Sequence, residues 1–336
     1  MKIFFYLFYL ALSSISISVK FNNKLISNFF IFIFAIIWSL FIRLRKPNED
    51  ILYYEYMMTR EDVFVPILAN ITEPILYVMQ WCMFLIFNNT FYVWLMSDVI
   101  AIYFLYIVVV NSHKLIGNTS SKIMRFYPSI FFMILISWPF YIGFTVTYRQ
   151  FFATLLFLYS LVNLKTNPKR SILTFLLSVF VHNSVAFFAP IIGFMLRKNF
   201  FNLLSTLFIL ISPALLSYGA SLRASRDVGI VLASLYPFAI ILVSSLILVI
   251  SIGQKIKLNR DIQTIFLYVP YISLMAWLFL GNGQAERFGL LSLSILIPII
   301  STLIISKFKY KYFLLFFFVT FLIFPMLTFY SGMLIS

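Results

Sequence analysis

The stretch Tyr148 to Thr154 reads YRQFFAT, and it sets Arg149 and Gln150 at the head of an apolar run. About thirty residues on, VHNS (181–184) sets His182 and Ser184 in the middle of another. An arginine in such a place can clamp phosphate or carboxylate with a two-pronged fork, and it keeps its charge at any working pH. The positive end of the helix that follows would add to that clamp. The plainer role is a snorkelling arginine that anchors a helix end, and position alone leaves both open. His182 can hold or take a proton near neutrality, or can simply bond backbone in a turn. Arg287 stands in GNGQAERFG, a Gly-rich run leading into a helix. That spacing is not a P-loop, and Glu286 beside it is a ready ion-pair partner. Arg223 and Arg226 precede Asp227 in a charge cluster whose default is solvation. Residues 48–74 mix acids, Asp50 among them, with Tyr53, Tyr54 and Tyr56. Tyrosines are usual at a bilayer surface. Acids that accept hydroxyl hydrogen bonds, beside rings that pack on pyranose faces, also suit a sugar-binding surface. Asp98 falls inside an apolar run, where a buried acid is either functional or helix–helix glue. No HxxxH, DxD or CxxC occurs, and Cys82 is the only cysteine, so neither a metal site nor a disulfide framework is expected.

The elements that must position these residues follow from composition. The chain has 336 residues, 62% hydrophobic and only 10% charged. A soluble surface needs about 25% charge, so the expectation is an all-α, polytopic integral membrane protein. The net charge of +15 would suggest nucleic acid in a soluble protein. Here its distribution fits membrane orientation, and no nucleic-acid partner is expected. The first apolar run follows Lys2 but ends in SSISISVK without a small-x-small cleavage site, so it reads as a retained helix.

Apolar runs predict spans near 3–19, 25–42, 91–110, 126–146, 151–164, 200–217, 229–250, 262–280, 288–306 and 312–331. The run 171–196, interrupted by HNS, reads as two short helices meeting in a tight hairpin, giving about 12 transmembrane or re-entrant helices in a single domain over 1–336. Several are shorter than the roughly 20 residues of a perpendicular span. The longest non-spanning stretch, 43–90, reads as an outer-face loop whose segment 72–87 forms an interfacial or re-entrant helix.

Sidedness follows from charge. Loops carrying Lys20/Lys24, Lys114/Lys122/Arg125, Lys165/Lys169/Arg170, Arg197/Lys198, Lys255/Lys257/Arg260 and Lys307/Lys309/Lys311 alternate correctly if all are cytoplasmic, with sixteen of the 25 Lys and Arg inside. RLRK at 43–46 then falls outside, against the rule. Of ten acids, eight fall in outer loops; the exceptions are Asp98 and Asp261. Seven of the nine outer cations are Arg, whereas twelve of the sixteen inner ones are Lys. An outer face rich in Arg and acids looks like a working face.

YRQFFATLLFLYSL, then KTNPKR, then FLLSVFVHNSVAFFAPI resembles the central signature of the EpsG-like branch of Wzy-type polysaccharide polymerases, through Arg149, Gln150, Ala153, His182, Ser184 and Pro190. Upstream, EDILYYEYM and TEPILYVMQ resemble the family's Asp-Tyr-rich segment and its Glu-Pro helix start, through Asp50, Tyr53, Glu73 and Pro74. Downstream, ERFGLLSL resembles the late arginine at a helix start. Tyr148 departs from the aliphatic residue more typical before the Arg.

The resemblance implies a GT-C-like glycosyltransferase in the bacterial cytoplasmic (inner) membrane, with its site facing the periplasm or cell exterior. It would move a growing glycan from undecaprenyl diphosphate to the non-reducing end of a lipid-linked repeat unit. The implied partners are undecaprenyl-diphosphate-linked oligosaccharide, membrane lipids and a chain-length regulator protein, with no cofactor. The implied catalytic set is Arg149, His182, Arg287, Glu73 and Asp50. Arg149 and Arg287 would face the diphosphate, Glu73 or Asp50 would be the base, and His182 would position or contact phosphate. Gln150, Tyr53, Tyr54, Ser184, Arg223, Arg226 and Glu286 would contact substrate. The alternative is a lipid-linked oligosaccharide flippase, which should show a charged central path and two pseudo-repeated halves; neither is visible. A third alternative, a membrane O-acyltransferase, needs a cytosolic-side donor site, which an outer His182 disfavours.

Overall fold

A chain this apolar can bury its backbone polar groups in a bilayer only by closing them within helices, and helices are what the computed structural model contains. It describes residues 24–43, 49–60, 73–117, 130–131, 134–135, 137–222, 235–280 and 282–309, with 311, 314 and 318. Among these there is no strand. In chain order the α-helices are α1 (Lys24–Arg43), α2 (Glu49–Met58), α3 (Ile75–Phe87), α4 (Thr90–Ile116), α5 (Trp138–Thr145), α6 (Tyr148–Asn163), α7 (Pro168–Val181), α8 (Ala189–Leu196), α9 (Asn199–Leu222), α10 (Leu235–Gly253), α11 (Arg260–Leu280) and α12 (Asn282–Lys307). A 3₁₀ segment, Asn183–Phe188, joins α7 to α8. Five stretches are long and apolar enough to cross a membrane: Thr90–Ile116, Asn199–Tyr218, Leu235–Gly253, Arg260–Leu280 and Gln284–Lys307. The chain is a helical membrane protein.

Local sequence explains the boundaries. Asn89 caps α4 by accepting from Phe91 N, and Gly117, at φ +70°, ends it in the left-handed conformation glycine tolerates. Asn167 accepts from Arg170 N just before Pro168 opens α7. The expected span 126–146 is interrupted. Ser137 is extended (φ −67°, ψ 145°), and α5 starts afresh at Trp138–Pro139. Pro139 has no N–H to continue an upstream helix. The outer-face loop holds a helix, α2, that the aromatic–acid reading of 48–74 did not anticipate. Its buried face is Ile51, Tyr54, Met57 and Met58, a three-and-four spacing legible in hindsight. The expected helix at 72–87 is α3, whose 13 residues reach roughly 20 Å and cannot span.

The chain reverses at HNS, as expected. The two arms pack on different neighbours, however: α7 lies mainly along α6, and α8 against α9 and α11. Two helices form the centre. Gln284–Lys307 is buried along its whole apolar length, and α6 exposes almost nothing. In a membrane protein such helices face protein rather than lipid, so polar residues at their ends can be held without meeting hydrocarbon.

Polar contacts divide the ends of the bundle into two faces. At one face Lys165 and Arg197 both pair with Asp261, which is 1% exposed. Lys114 Nζ reaches Asn163 Oδ1 at 3.4 Å, Asn259 bonds Leu115 O, and Lys309 N donates to Gln254 Oε1 at 2.9 Å. Five loops assigned to one side by charge alternation thus meet there. Asp261, an exception among the acids, is the shared counter-ion of Lys165 and Arg197. The opposite ends of α6, α7 and α12 meet at the other face, where Arg149, His182 and Arg287 stand.

Arg43 also lies toward that second face, buried. Its Nε donates to Asp98 Oδ2 at 2.8 Å and its Nη2 to Asp98 Oδ1 at 2.7 Å. Ser39 Oγ adds a bond to Asp98 Oδ2 at 2.7 Å, and Arg43 Nη2 reaches Phe144 O at 3.2 Å. The guanidinium lies 4.4 Å from the Trp94 ring centre and 5.3 Å from that of Tyr148. Asp98 is therefore a staple tying α1 to α4 and, through Arg43, to the end of α5. Arg43 is a neutralised helix end rather than a loop charge, which takes one of the three cations of RLRK out of the alternation; Arg45 and Lys46 lie outside the described residues. The predicted spans at 3–19 and most of 312–331 lie outside the described residues.

Candidate functional site

The site is assembled on the N-terminus of α6. A cation in the first turn of a helix opposes the helix dipole, and α6 has no acid of its own there. Glu73 supplies the anion from the start of α3. Its Oε2 lies 2.9 Å from Arg149 Nη1, and its side chain is 7% exposed. Its Oε1 accepts from Asn183 N at 2.8 Å, capping the first turn of the 3₁₀ segment. The same oxygen lies 2.9 Å from His182 Nδ1, a close contact in which the ring N–H is not lined up with the oxygen. Glu73 thus joins three segments separated by 76 and 110 residues, and both of its oxygens are occupied.

Burial acts to raise the Glu73 pKa. The adjacent His182, the Arg149 charge and the Asn183 N–H outweigh it and hold the group below the ordinary 4.5. A carboxylate so saturated is a poor proton acceptor, and the expectation of a carboxylate base does not fit Glu73. The sign of the linkage is definite. With a folded pKa below the unfolded one, Glu73 adds stability that is present above about pH 4.5 and is lost as pH falls through the folded value. Thermal melts of the purified protein should show an acid-side decline below about pH 4.5 that is shallower in Glu73→Gln. An identical decline in both proteins would remove Glu73 as its source.

His182 ends α7 in extended backbone (φ −156°, ψ 115°), which aims its ring away from the helix axis. Its Nε2 lies 3.2 Å from Ser184 Oγ, and both residues are half-buried. Arg149 also contacts Tyr77 Oη at 3.3 Å and lies 5.6 Å from the centre of that ring. Its side chain is 26% exposed, so part of the guanidinium faces open space. Gln150 Nε2 donates to Arg287 O at 2.6 Å, locking the head of α6 to the head of α12. The Arg287 side chain is exposed and makes no ion pair with a described residue, Glu286 included. Glu286 instead accepts from Tyr236 Oη at 3.4 Å. Gly289 lets that tyrosine approach, since a Cβ there would lie 2.5 Å from Tyr236 Cβ.

The tyrosines divide. Tyr53 is exposed and meets Tyr77 edge-on at 6.3 Å. Tyr54 is 6% exposed and packs on Tyr77 and Trp94. The expectation that Tyr54 contacts substrate is corrected: its ring has no free face to offer a sugar. Tyr77 was missed by sequence reasoning. Its signal is its place four residues after Glu73, one helical turn on. Tyr148, the departure from the family pattern, is wholly buried among Trp94, Phe144 and Phe152 and supports the Arg43 guanidinium. Asp50 lies in the first turn of α2, with its side chain outside the described set. Arg223 and Arg226 also lie outside it. Among the described residues no group of His, Cys, Asp and Glu could hold a metal.

Comparison of the chain with protein-family models, with curated proteins and with solved structures finds no match.

Proposed function

We propose that this protein is a membrane glycosyltransferase of the Wzy-type polymerase kind, with about twelve transmembrane or re-entrant segments in a GT-C-like arrangement. It would extend a glycan by moving it from undecaprenyl diphosphate to the non-reducing end of a lipid-linked repeat unit. The observation that carries this reading is the convergence on one face of Glu73, Arg149 and His182, with Gln150 tying Arg287 alongside. These residues carry the sequence resemblance, and they come from four distant segments.

The chemistry fits the arrangement. The leaving group is a lipid diphosphate, so negative charge builds on a phosphate oxygen as the sugar departs. Fixed cations at that point stabilise the transition state more than the ground state. Arg149, half neutralised by Glu73 and backed by Tyr77, is the pre-oriented cation. Arg287, exposed and without an ion pair among the described residues, would close on the second phosphate. The opposite face, where lysines dominate, would be cytoplasmic by the positive-inside rule, and the Arg149 face would be periplasmic or external.

Deletion of the gene in its native host tests the reading. Core carrying a single repeat unit should accumulate on gels of surface polysaccharide, and the ladder should vanish. If no repeat unit reaches the surface, transport is the missing step and the polymerase reading falls in favour of the flippase.

A further inference from the structure

An apolar groove between α1 and α4, of about 520 Å³, is lined by Ile31, Phe32, Ile102 and Tyr103 among others, and nothing in the structure shows what covers it. The Lys165–Arg197–Asp261 cluster has its charges already paired. The chain of contacts from Glu73 through His182 to Ser184 goes further.

A histidine touching a serine two residues on could be local turn chemistry. Two facts set this one apart. The other ring nitrogen faces a carboxylate from a segment 109 residues away, brought there at a close 2.9 Å. That carboxylate is saturated by Arg149 and Asn183, so it can orient the ring but is itself a poor proton acceptor. With Nδ1 facing Glu73, the proton belongs on Nδ1 and the lone pair on Nε2. Nε2 is then the basic atom of the cluster, and its occupant is the Ser184 hydroxyl, 3.2 Å away. Ser184 donates its proton to Nε2 and turns its lone pairs outward.

We infer that Glu73, His182 and Ser184 form a proton relay that activates the acceptor sugar hydroxyl. This inference rests on the polymerase reading of the same site. His182 is the base, Ser184 the shuttle and Glu73 a positioning residue. As the acceptor oxygen bonds to the donor anomeric carbon, the bond from that carbon to the phosphate oxygen breaks. Its electron pair leaves with the lipid diphosphate. The acceptor proton passes to Ser184 Oγ, and the Ser184 proton passes to His182 Nε2. The Nδ1–H lines up on Glu73 as the imidazolium forms, as catalytic hydrogen bonds commonly tighten with substrate bound. The relay also divides the pocket, with the acceptor on the Ser184 side and the diphosphate on the Arg149 side. Among the described residues the charged and titratable groups facing His182 are Glu73 and, beyond it, Arg149 and Tyr77, with Tyr53 and Tyr54 behind Tyr77 and Tyr268 bonded to Phe187 O in the same 3₁₀ segment.

The test uses membranes containing the full-length protein and lipid-linked repeat unit extracted from the deletion host, with polymer read on gels. Wild-type membranes should polymerise. His182→Ala should lose about a hundredfold in rate, and added imidazole should restore at least tenfold of that loss. A merely structural histidine would not be rescued. Ser184→Ala changes one small, half-buried side chain and keeps the fold out of question. It should lower the maximal rate about tenfold with the acceptor concentration for half-maximal rate unchanged. Wild-type activity with no imidazole rescue, or with a Ser184→Ala protein at full rate, overturns the relay and leaves the polymerase standing. Wild-type membranes that make no polymer overturn both.

Discussion

Asp98→Ala is expected to remove most of the folded protein from the membrane. The mutation strands the Arg43 guanidinium, 6% exposed, between the rings of Trp94 and Tyr148 with no counter-charge. Breaking one side of a buried ion pair costs about 3–5 kcal/mol, because the partner charge stays desolvated. Against the 5–15 kcal/mol that typically holds a domain folded, such a loss is large. Asp98 also receives the Ser39 hydroxyl, so Arg43, Ser39 and the Phe144 carbonyl lose their arrangement together. The measurement is protein abundance in membranes and the melting temperature in detergent. The double variant Arg43→Met/Asp98→Leu should recover much of the loss, since an apolar pair of similar volume carries no desolvation cost. A double variant as unstable as the single one would mean that the pair does more than staple α1 to α4.

Arg149→Lys is expected to leave abundance unchanged and to lower polymerisation by about a hundredfold, the usual cost of losing one fixed donor at a developing anion. A lysine keeps the charge and can still reach Glu73, so the fold at the α6 N-terminus should hold. It cannot offer two parallel N–H groups to a phosphate while bonding a carboxylate, and it does not stack flat on Tyr77. The check is the same membrane assay, with abundance as the control. Full activity would reduce Arg149 to a helix anchor held by Glu73, and the diphosphate clamp would then have to rest on Arg287.

Asp98 and Glu73 make an instructive contrast. Both are buried acids paired with an arginine, and both were flagged by the sequence. Asp98 is spent on packing: its partners are all structural, and no face of its arginine is open. Glu73 holds an arginine that is a quarter exposed and a histidine whose second nitrogen meets a hydroxyl. The difference lies in what stands on the far side of each pair.

Several things were fixed by the sequence itself. The shortage of charge forced a helical membrane protein, because only helices or closed barrels satisfy backbone groups in hydrocarbon. Charge alternation sorted the loops into two sets, and Lys165, Arg197 and Asp261 meeting at one end bears out their grouping. Hydropathy also located the turn at HNS, the short helix after Glu73 and most of the long helices. Arg149, His182 and Arg287 stood out because a polar group at an apolar helix end must be held by something; Glu73 entered through the family resemblance.

What held them was decided only in three dimensions. No spacing rule reaches from Glu73 to Asn183, or from Gln150 to the carbonyl of Arg287, since those contacts depend on how helices pack. The same holds for Tyr54 and Tyr53: adjacent residues on a helix point about 100° apart, so one fills the core and the other meets solvent. Tyr77 entered the site only because packing brings the start of α3 to the head of α6, where Tyr77 Oη meets Arg149. The break at Ser137 escaped hydropathy because a proline-opened helix restart keeps an apolar run apolar. Composition sets which environment each residue must find; packing sets which partner it finds there.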